Sequence, residues 1–348
     1  PAQVVYSNAE RCVPSGSITC APSELTTSTA SHWPDVPFDQ NCNAGATCTD
    51  RLAPTFWTRK RIAKITTQVW NPATSAYRPV ESWGLSHTFP LPGDGTAPAL
   101  WLNAITHTGH VGGTATLPSV TFSGLPMDNR VDAMEGLAPM KRYRIAAVYT
   151  ESGGQVDVGY MEPECTRALA PAPATNTKRC FPTRWTPEGE AELLDWFHKY
   201  PVAEINELDL VAGSQNVTTR YEYLDGAAWH FDDDDGLVPE KRKTWSQWRG
   251  YSRVRVHSGG DGEQEGLTEY RYFRGMNGDR TASGGDKSVE VTDSIGGTWT
   301  DGNQYSGQLR EEIVYNGPGG SVVSKTIKDP WSKATATRAR SWGTRRPT

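Results

Sequence analysis

The main pattern along the chain is an alternation of apolar and polar residues with a period of two, which is typical of β-strands. RIAKITTQVW (Arg61–Trp70) is rich in β-branched residues, and its side chains alternate between a more apolar face and a more polar face. A turn at Asn71–Tyr77 follows, and Arg78–Phe89 returns as a second strand. The stretch therefore predicts an antiparallel pair of strands.

Three later stretches repeat the arrangement of strand, Gly-containing turn and strand. They are Arg142–Tyr160 around Ser-Gly-Gly, Trp248–Gly275 around a Gly/Asp/Glu loop, and Arg310–Ile327 around Asn-Gly-Pro-Gly-Gly. Hairpins spaced by a few tens of residues indicate a sheet-building repeat and not one compact sandwich. We therefore predict a mainly β fold of successive antiparallel hairpins with at most one short helix.

The helix that the sequence predicts covers Thr186–Phe197 (TPEGEAELLDWF). Thr186 is a suitable N-cap, and Pro187 suits the first helical position because its missing N–H has no partner there in any helix. Gly189 weakens the helix and occupies the position that a capping box gives to Glu or Gln.

Changes in composition divide the chain into four segments. Residues 1–55 are an irregular, Cys-bearing cap or plug, and residues 56–165 are a β-rich segment. Residues 166–180 contain the Ala/Pro-rich stretch ALAPAPATNT and are expected to form a linker closed by a disulfide. Residues 181–348 are a second segment of hairpins. The pattern leaves open whether the two β-rich segments are separate domains or one continuous sheet.

Composition and charge narrow the class of protein. The 348 residues include 34 Gly, 24 Pro, 13 Trp and 13 Tyr, which is typical of a turn-dense chain rich in strands. A net charge of -5 gives no electrostatic reason to expect nucleic acid or an anionic membrane as a partner. No apolar run approaches the roughly 20 residues that span a bilayer. The first residues resemble no signal peptide, and we expect the chain to be a piece of a larger protein.

Six cysteines occur as three pairs that are close in sequence. The pairs are Cys12 and Cys20, Cys42 and Cys48, and Cys165 and Cys180. None has the CxxC spacing of a metal or redox motif, so local disulfides in an exported protein are expected. Six cysteines allow 15 pairings, however, and the sequence leaves both the connectivity and a reduced state open.

An acidic run follows Trp229-His230-Phe231. It consists of Asp232, Asp233, Asp234 and Asp235. An EF-hand loop with its glycine at Gly236 would need an oxygen ligand at position 231 and a glutamate at position 242, where Phe231 and Arg242 stand. Adjacent carboxylates repel one another and favour a solvated turn, which we expect here. A weak calcium site at these aspartates is the alternative.

Three tryptophans, Trp229, Trp245 and Trp248, are candidate platforms for a glycan. A retaining glycosidase would also need two carboxyl groups roughly 5–5.5 Å apart, for which Asp195, Glu204 and the acidic run are candidates. We favour the interpretation that these rings pack within the hairpins. The sequence has no HExxH, GxSxG, Walker or GxGxxG motif, and we expect neither a cofactor nor an enzymatic activity.

Tyrosine-rich stretches of the chain resemble the RHS/YD-repeat family, and in particular the large secreted RHS proteins of actinobacteria. The matching stretches are RYEYLDG (Arg220–Gly226), EYRYFRGMNGDR (Glu269–Arg280), VYTESGGQV (Val148–Val156) and VYNGPGGSVV (Val314–Val323). The repeat of that family is a Tyr-rich strand, an Asp/Gly turn and a short returning strand.

This resemblance implies long β-sheet strips that spiral into a hollow shell around a C-terminal toxin, as in polymorphic toxin systems and wall-associated proteins. It implies a non-catalytic scaffold segment of a bacterial protein that is secreted or held at the cell surface. Its partners would be the remainder of the same chain and the enclosed cargo. No segment resembles the autoprotease core of the family, so that activity is not carried over. The alternative is an extracellular carbohydrate-binding or carbohydrate-active domain.

Overall fold

The protein is described by a computed structural model, which covers residues 1–49, 57–131, 136–187, 189–233, 236, 238–260 and 262–333. Its strands are β1 (Ala2–Glu10), β2 (Lys60–Asn71), β3 (Ala76–Thr88), β4 (Trp101–Gly109), β5 (Ala115–Thr116), β6 (Val120–Met127), β7 (Arg142–Tyr149), β8 (Gly154–Tyr160), β9 (Cys180–Trp185), β10 (Leu193–His198), β11 (Val202–Asp209), β12 (Val217–His230), β13 (Gln247–Gly260), β14 (Gly266–Tyr272), β15 (Glu290–Thr292), β16 (Thr298–Thr300), β17 (Leu309–Tyr315) and β18 (Val322–Ile327). Helical structure in these residues is confined to three-residue 3-10 turns.

Fourteen strands form one open antiparallel sheet in the order β1-β2-β3-β4-β6-β7-β8-β11-β12-β13-β14-β17-β18, with β5 beside β4. Each strand pairs with the strands that precede and follow it, except at β5, which pairs only with β4, and where the ribbons β9–β10 and β15–β16 interrupt the order. The prediction of a mainly β chain of successive antiparallel hairpins is confirmed. Pairing of β8 with β11 carries the sheet across the linker between the two β-rich segments.

The predicted strands coincide with observed ones, but several observed strands, among them β1, β4, β6 and β11, were not predicted individually. Arg61–Trp70 lies in β2, and Arg78–Phe89 overlaps β3. The strand β1, by contrast, lies within the segment that was expected to be irregular. Its nine residues are mostly polar or exposed, and it owes its strand conformation to pairing with β2, which the local sequence does not reveal.

The predicted helix at Thr186–Phe197 is wrong. Leu193–His198 is the strand β10, which pairs along its whole length with β9. Gly189 has a φ of +76°, which is outside the helical region and ends any helical turn there. The carboxylate of Asp195 accepts bonds from Arg130 Nε at 2.7 Å and Arg167 Nη2 at 2.8 Å, so tertiary contacts determine the conformation of this segment.

One face of the large sheet is apolar. Residues that pair directly across antiparallel strands project from the same face, so the register assigns each side chain to a face. The apolar face carries Tyr6, Ile65, Trp83, Leu85, Ile105, Val120, Phe122, Val148, Val156, Val158, Ile205, Tyr221, Tyr223, Val254, Val256 and Tyr270. Each of these side chains keeps some access to solvent, and Tyr6 is 59% exposed.

The opposite face is polar. It carries Lys64, Ser82, Thr106, Thr121, Asp157, Asn206, Arg220, Glu222, Arg253, Arg255, Glu269, Arg271 and Glu311. Charged residues concentrate on β12, β13, β14 and β17, where Arg255 lies opposite Glu222 and Glu269, and Arg271 lies opposite Glu311 on one side and Arg253 on the other. The sheet is therefore two-sided along its length, with an apolar face and a polar face.

Fully buried apolar clusters lie outside the sheet faces and are small. One forms around Trp33, with Cys12 and Val36, and the other around Val131, Cys165 and Cys180. The protein has an accessible surface of 20790 Å², whereas a compact monomer of 38.2 kDa exposes about 14,000 Å². Part of this excess is the apolar face, which no second layer covers completely. No helix in the described residues is long and apolar enough to cross a membrane.

Three disulfides join the cysteines that are close in sequence. The bonds are Cys12–Cys20, Cys42–Cys48 and Cys165–Cys180. The Cys165–Cys180 bond belongs to the cluster around Val131, and it ties the residue that precedes the linker to the start of β9. The predicted disulfides are therefore present, and they fit an extracellular protein.

Replacing both Cys165 and Cys180 with alanine should lower the free energy of unfolding by about 3 kcal/mol, because the bond closes a loop of 15 residues and its sulfurs pack in a buried cluster. Urea denaturation measures the change. The pair Cys42 and Cys48 is the control, since its loop spans only 6 residues and Cys42 is exposed. A larger loss for the control pair would contradict this account.

Candidate functional site

Tyrosine and tryptophan rings gather where β12, β13 and β14 lie side by side. Tyr223 stacks on Tyr221 and Tyr251, with ring centroids 6.4 and 4.6 Å apart. Trp248 meets Tyr251 edge-on at 5.6 Å. The hydroxyl of Tyr223 donates a 2.7 Å bond to the carbonyl of Val202 on β11. These contacts link three neighbouring strands, β11, β12 and β13, through their side chains as well as through their backbones.

The rings form the walls of a groove of about 340 Å³, which we call the aromatic groove. Its lining includes Pro201, Tyr223, Trp248, Tyr251, Tyr272 and Phe273. The groove continues the apolar face at the end where Tyr221 and Tyr270 lie. It offers apolar surface with few polar groups, which suits an apolar or aromatic side chain of a partner polypeptide.

Burial determines the protonation of these tyrosines. It raises the pKa of Tyr223 to about 12, with a further contribution from the neighbouring Tyr221 and Tyr251. It also raises the pKa of Tyr251 and of Tyr272. The phenols are therefore neutral at physiological pH. Tyr223 acts here as a hydrogen-bond donor, and all three rings provide apolar surface.

The Asp225-Gly226 step forms a bulge within β12, and the prediction that it turns a hairpin is wrong. The strand continues through it to His230, and the register shifts between Leu224 and Ala227. Asp225 and Gly226 both have positive φ, at +66° and +75°. A Cβ on residue 226 would lie 2.9 Å from the side chain of Thr177, so glycine also permits this close approach.

The carboxylate of Asp225 explains why the bulge is held in place. It forms a bidentate pair with Arg253 of β13, with Nε–Oδ2 and Nη2–Oδ1 distances of 2.7 and 2.8 Å, and it accepts a bond from Ser252. The Arg253 guanidinium lowers the pKa of Asp225 to about 2. The aspartate of this YD-like motif therefore anchors the bulge to the adjacent strand.

A ladder of ion pairs crosses the polar face from β12 to β17. Glu269 lies at its centre, 1% exposed, with Arg255 Nε at 2.9 Å and Arg271 Nη2 at 3.2 Å from its carboxylate. Arg271 Nε lies 3.3 Å from Glu311, which is fully buried. Glu222 extends the ladder at the exposed side through Arg255. We call these residues, with Arg253, the arginine–glutamate ladder.

The acidic run lies only partly in the described residues, since Asp234 and Asp235 fall outside them. Asp232 Oδ1 accepts a 2.9 Å bond from Gln247, and Asp233 lies 3.7 Å from His230 Nδ1. His230 is buried, and its neighbour Asp279 accepts a bond from the backbone N–H of Phe231. Within the described residues no group of three or more metal-ligating side chains occurs. The weak calcium site stays a prediction.

The three tryptophans do not form a common platform. Trp229 is 3% exposed and packs against Phe181 and Trp248, so its ring is not available to a glycan and that assignment is wrong. Trp245 packs edge-on against Phe231 and donates to the carbonyl of Arg280. Trp248 alone lines the aromatic groove.

The carboxyl candidates for a glycosidase also have other partners. Asp195 is 1% exposed, and besides two arginines it accepts a bond from Trp185 Nε1. Glu204 accepts a 3.2 Å bond from Asn206 on the same strand. The ion pairs of Asp195 anchor β10, so its carboxylate is committed to the fold.

Sequence reasoning missed the buried glutamates Glu269 and Glu311. The signal was present in the alternation of β13, where RVRV (Arg253–Val256) places arginines on one face, and of β14, where EYRY (Glu269–Tyr272) places a glutamate and an arginine on one face. The register that brings Arg255 opposite Glu269 is a tertiary property, so the pattern alone did not identify the pair.

Comparison of the chain with models of known protein families, with curated proteins and with solved structures finds no match.

Replacing Glu269 with glutamine should lower the free energy of unfolding by about 2 kcal/mol, because it removes a buried carboxylate that accepts charge-assisted hydrogen bonds from the partly exposed Arg255 and Arg271. Glu222→Gln is the matched control, since Glu222 pairs with the same Arg255 but its side chain is 46% exposed. That change should cost less than about 1 kcal/mol. Chemical denaturation measures both variants, and equal losses would show that burial does not set the strength of the ladder.

Proposed function

We propose that this chain is a non-catalytic β-scaffold segment of a larger exported protein of the RHS/YD-repeat type, which encloses or presents a toxin or effector. The observation that carries the proposal is the open, two-sided sheet. An isolated sheet layer with a half-exposed apolar face exposes surface that other proteins bury. A shell, by contrast, gives such a face an enclosed volume to line.

The two edges of the sheet support the same proposal. In the described residues β1 and β18 each pair on one side only, and most of their side chains are exposed. Unpaired edges bind further strands readily, which is how a strip of hairpins is extended into a longer sheet. Three disulfides add stability that suits an exported protein.

The segregation of charged residues to one face of the sheet supports a particular orientation of the sheet in the proposed shell. The arginine–glutamate ladder and the other charged residues of the polar face are compatible with water, whereas the apolar face is not. We propose that the apolar face and the aromatic groove point toward the enclosed cargo. A loosely folded polypeptide exposes apolar side chains, and the rings of the groove can contact them with little sequence preference.

The glycan-binding alternative has less support. It requires aromatic rings exposed side by side, and of the three candidate tryptophans only Trp248 lines a groove. Trp229 is buried and Trp245 holds a loop in place. The carboxyls suggested for hydrolysis have structural partners. The scaffold is therefore the function that we propose.

Oxidative footprinting of tyrosines tests the proposal. In this chain alone Tyr6, Tyr221 and Tyr270 should react with hydroxyl radicals, because all three lie on the apolar face and keep access to solvent. In the longer natural protein their reactivity should fall severalfold, since the proposed shell and its cargo cover that face. Tyr149 is the control, because it is 39% exposed and lies on the polar face, where its reactivity should be unchanged.

Unchanged labelling of the apolar face in the longer protein would contradict the proposal. If the labelling of Tyr149 decreased as much as that of the apolar face, both faces would be shielded, and the proposed orientation of the sheet would be contradicted.

A further inference from the structure

A cavity of about 320 Å³ on the polar face is lined by three arginines. Arg253 and Arg271 come from β13 and β14, and Arg274 follows β14. The ribbon β15–β16 closes one side through Glu290, Val291 and Thr292, and the lining is completed by Asp225 and Ser252. Most of these side chains are polar, so the cavity is suited to a charged or strongly hydrated group.

Two of the three arginines have partners within the protein. Arg253 is paired with Asp225 and lies 3.9 Å from Glu269. Arg271 contacts Glu269 and Glu311 and donates a 3.0 Å bond to the carbonyl of Thr292. Their charges are therefore compensated by the arginine–glutamate ladder and by Asp225.

Arg274 differs from them. Its Nε is buried and has no hydrogen-bond partner, and its guanidinium forms no ion pair within 4.0 Å in the described residues. The nearest sources of negative charge are Asp301 and Asp225. Asp301 already accepts bonds from the backbone N–H groups of Arg274, Gly275 and Met276. Asp225 is committed to Arg253.

A buried guanidinium N–H without a hydrogen-bond acceptor is costly. Burial lowers the pKa of Arg274, although the attraction of Asp301 and Asp225 opposes the effect. A guanidinium has five N–H donors in a planar fork that matches the oxygens of carboxylate, phosphate or sulfate. An oxyanion in the cavity would accept hydrogen bonds from these donors and add a counter-charge close to Arg274.

We propose that this cavity binds a small oxyanion group, a carboxylate, phosphate or sulfate, with Arg274 as its principal ligand. The site lies on the polar face, so it does not depend on the proposed scaffold role of the apolar face. Glu290 at the rim is exposed and forms no ion pair within the described residues, so its negative charge repels an anion in the cavity and weakens binding.

Titration calorimetry with phosphate, sulfate and acetate tests the proposal, with chloride added to hold ionic strength constant because exposed charges are screened. We expect saturable binding in the millimolar range. Arg274→Gln should weaken it at least about tenfold, since a hydrogen bond to a charged group is lost. Glu290→Gln should strengthen it by about threefold, as removal of an exposed like charge predicts. The three anions separate a carboxylate site from a phosphate or sulfate site.

Arg220→Gln is the matched control, because Arg220 lies on the same face, is 58% exposed and pairs with Glu265 outside the cavity. It should leave anion binding unchanged. The Glu290 variant keeps the test valid if Arg274→Gln is poorly folded, since Glu290 has no structural contact to lose. Absence of saturable binding, or equal weakening by the Arg274 and Arg220 variants, would overturn the proposal.

Discussion

Hydrogen bonding between strands that follow one another in the chain is the constraint on which the rest of the structure depends. Because almost every strand of the large sheet pairs with its neighbours in sequence, the sheet grows without crossovers and stays open. An open single layer has two faces, and the register gives them opposite character. The apolar face, the charged ladder and the free edges all follow from this one arrangement.

The interruptions of the meander are placed where charge or aromatic packing can hold them. The ribbon β9–β10 is anchored by Asp195 and its arginines, and the ribbon β15–β16 lies beside Glu311, which accepts a bond from the backbone N–H of Ser294. The Asp225-Gly226 bulge is fixed by Arg253. Paired carboxylates, of which Asp195 and Glu311 are buried and Asp225 is exposed, therefore hold irregular segments in a protein whose apolar clusters are small.

Much of the fold could be predicted from the sequence, because alternation is a local signal. The pairs at Arg142–Tyr160 and Arg310–Ile327 are hairpins as expected. The predictions of secondary structure were wrong where tertiary contacts override the local conformational preference of the sequence. Leu193–His198 has helix-forming leucines yet pairs with β9, and the strand β1 has little alternation yet pairs with β2. Asp225-Gly226 has the composition of a turn, but β12 continues through it because β12 pairs with β13 on both sides of the bulge.

The candidate site was less accessible to sequence reasoning. The tyrosines were recognised as one face of a strand, whereas the groove needs Trp248 and Tyr251 to be brought beside Tyr223 by the register. The acidic run was a candidate site in the sequence because its carboxylates are adjacent. The carboxylates that are buried among arginines, Glu269 and Glu311, are isolated from each other in sequence and meet only through pairing of β14 with β17.

The central claim is that this open sheet is one strip of a larger wall, and electron cryo-microscopy of the larger protein that we propose tests it most directly. The account predicts that further strands continue the sheet beyond β1 or β18, and that the apolar face lines an enclosed volume that holds the cargo. A sheet that ends at both edges, with its apolar face toward bulk water, would contradict the account.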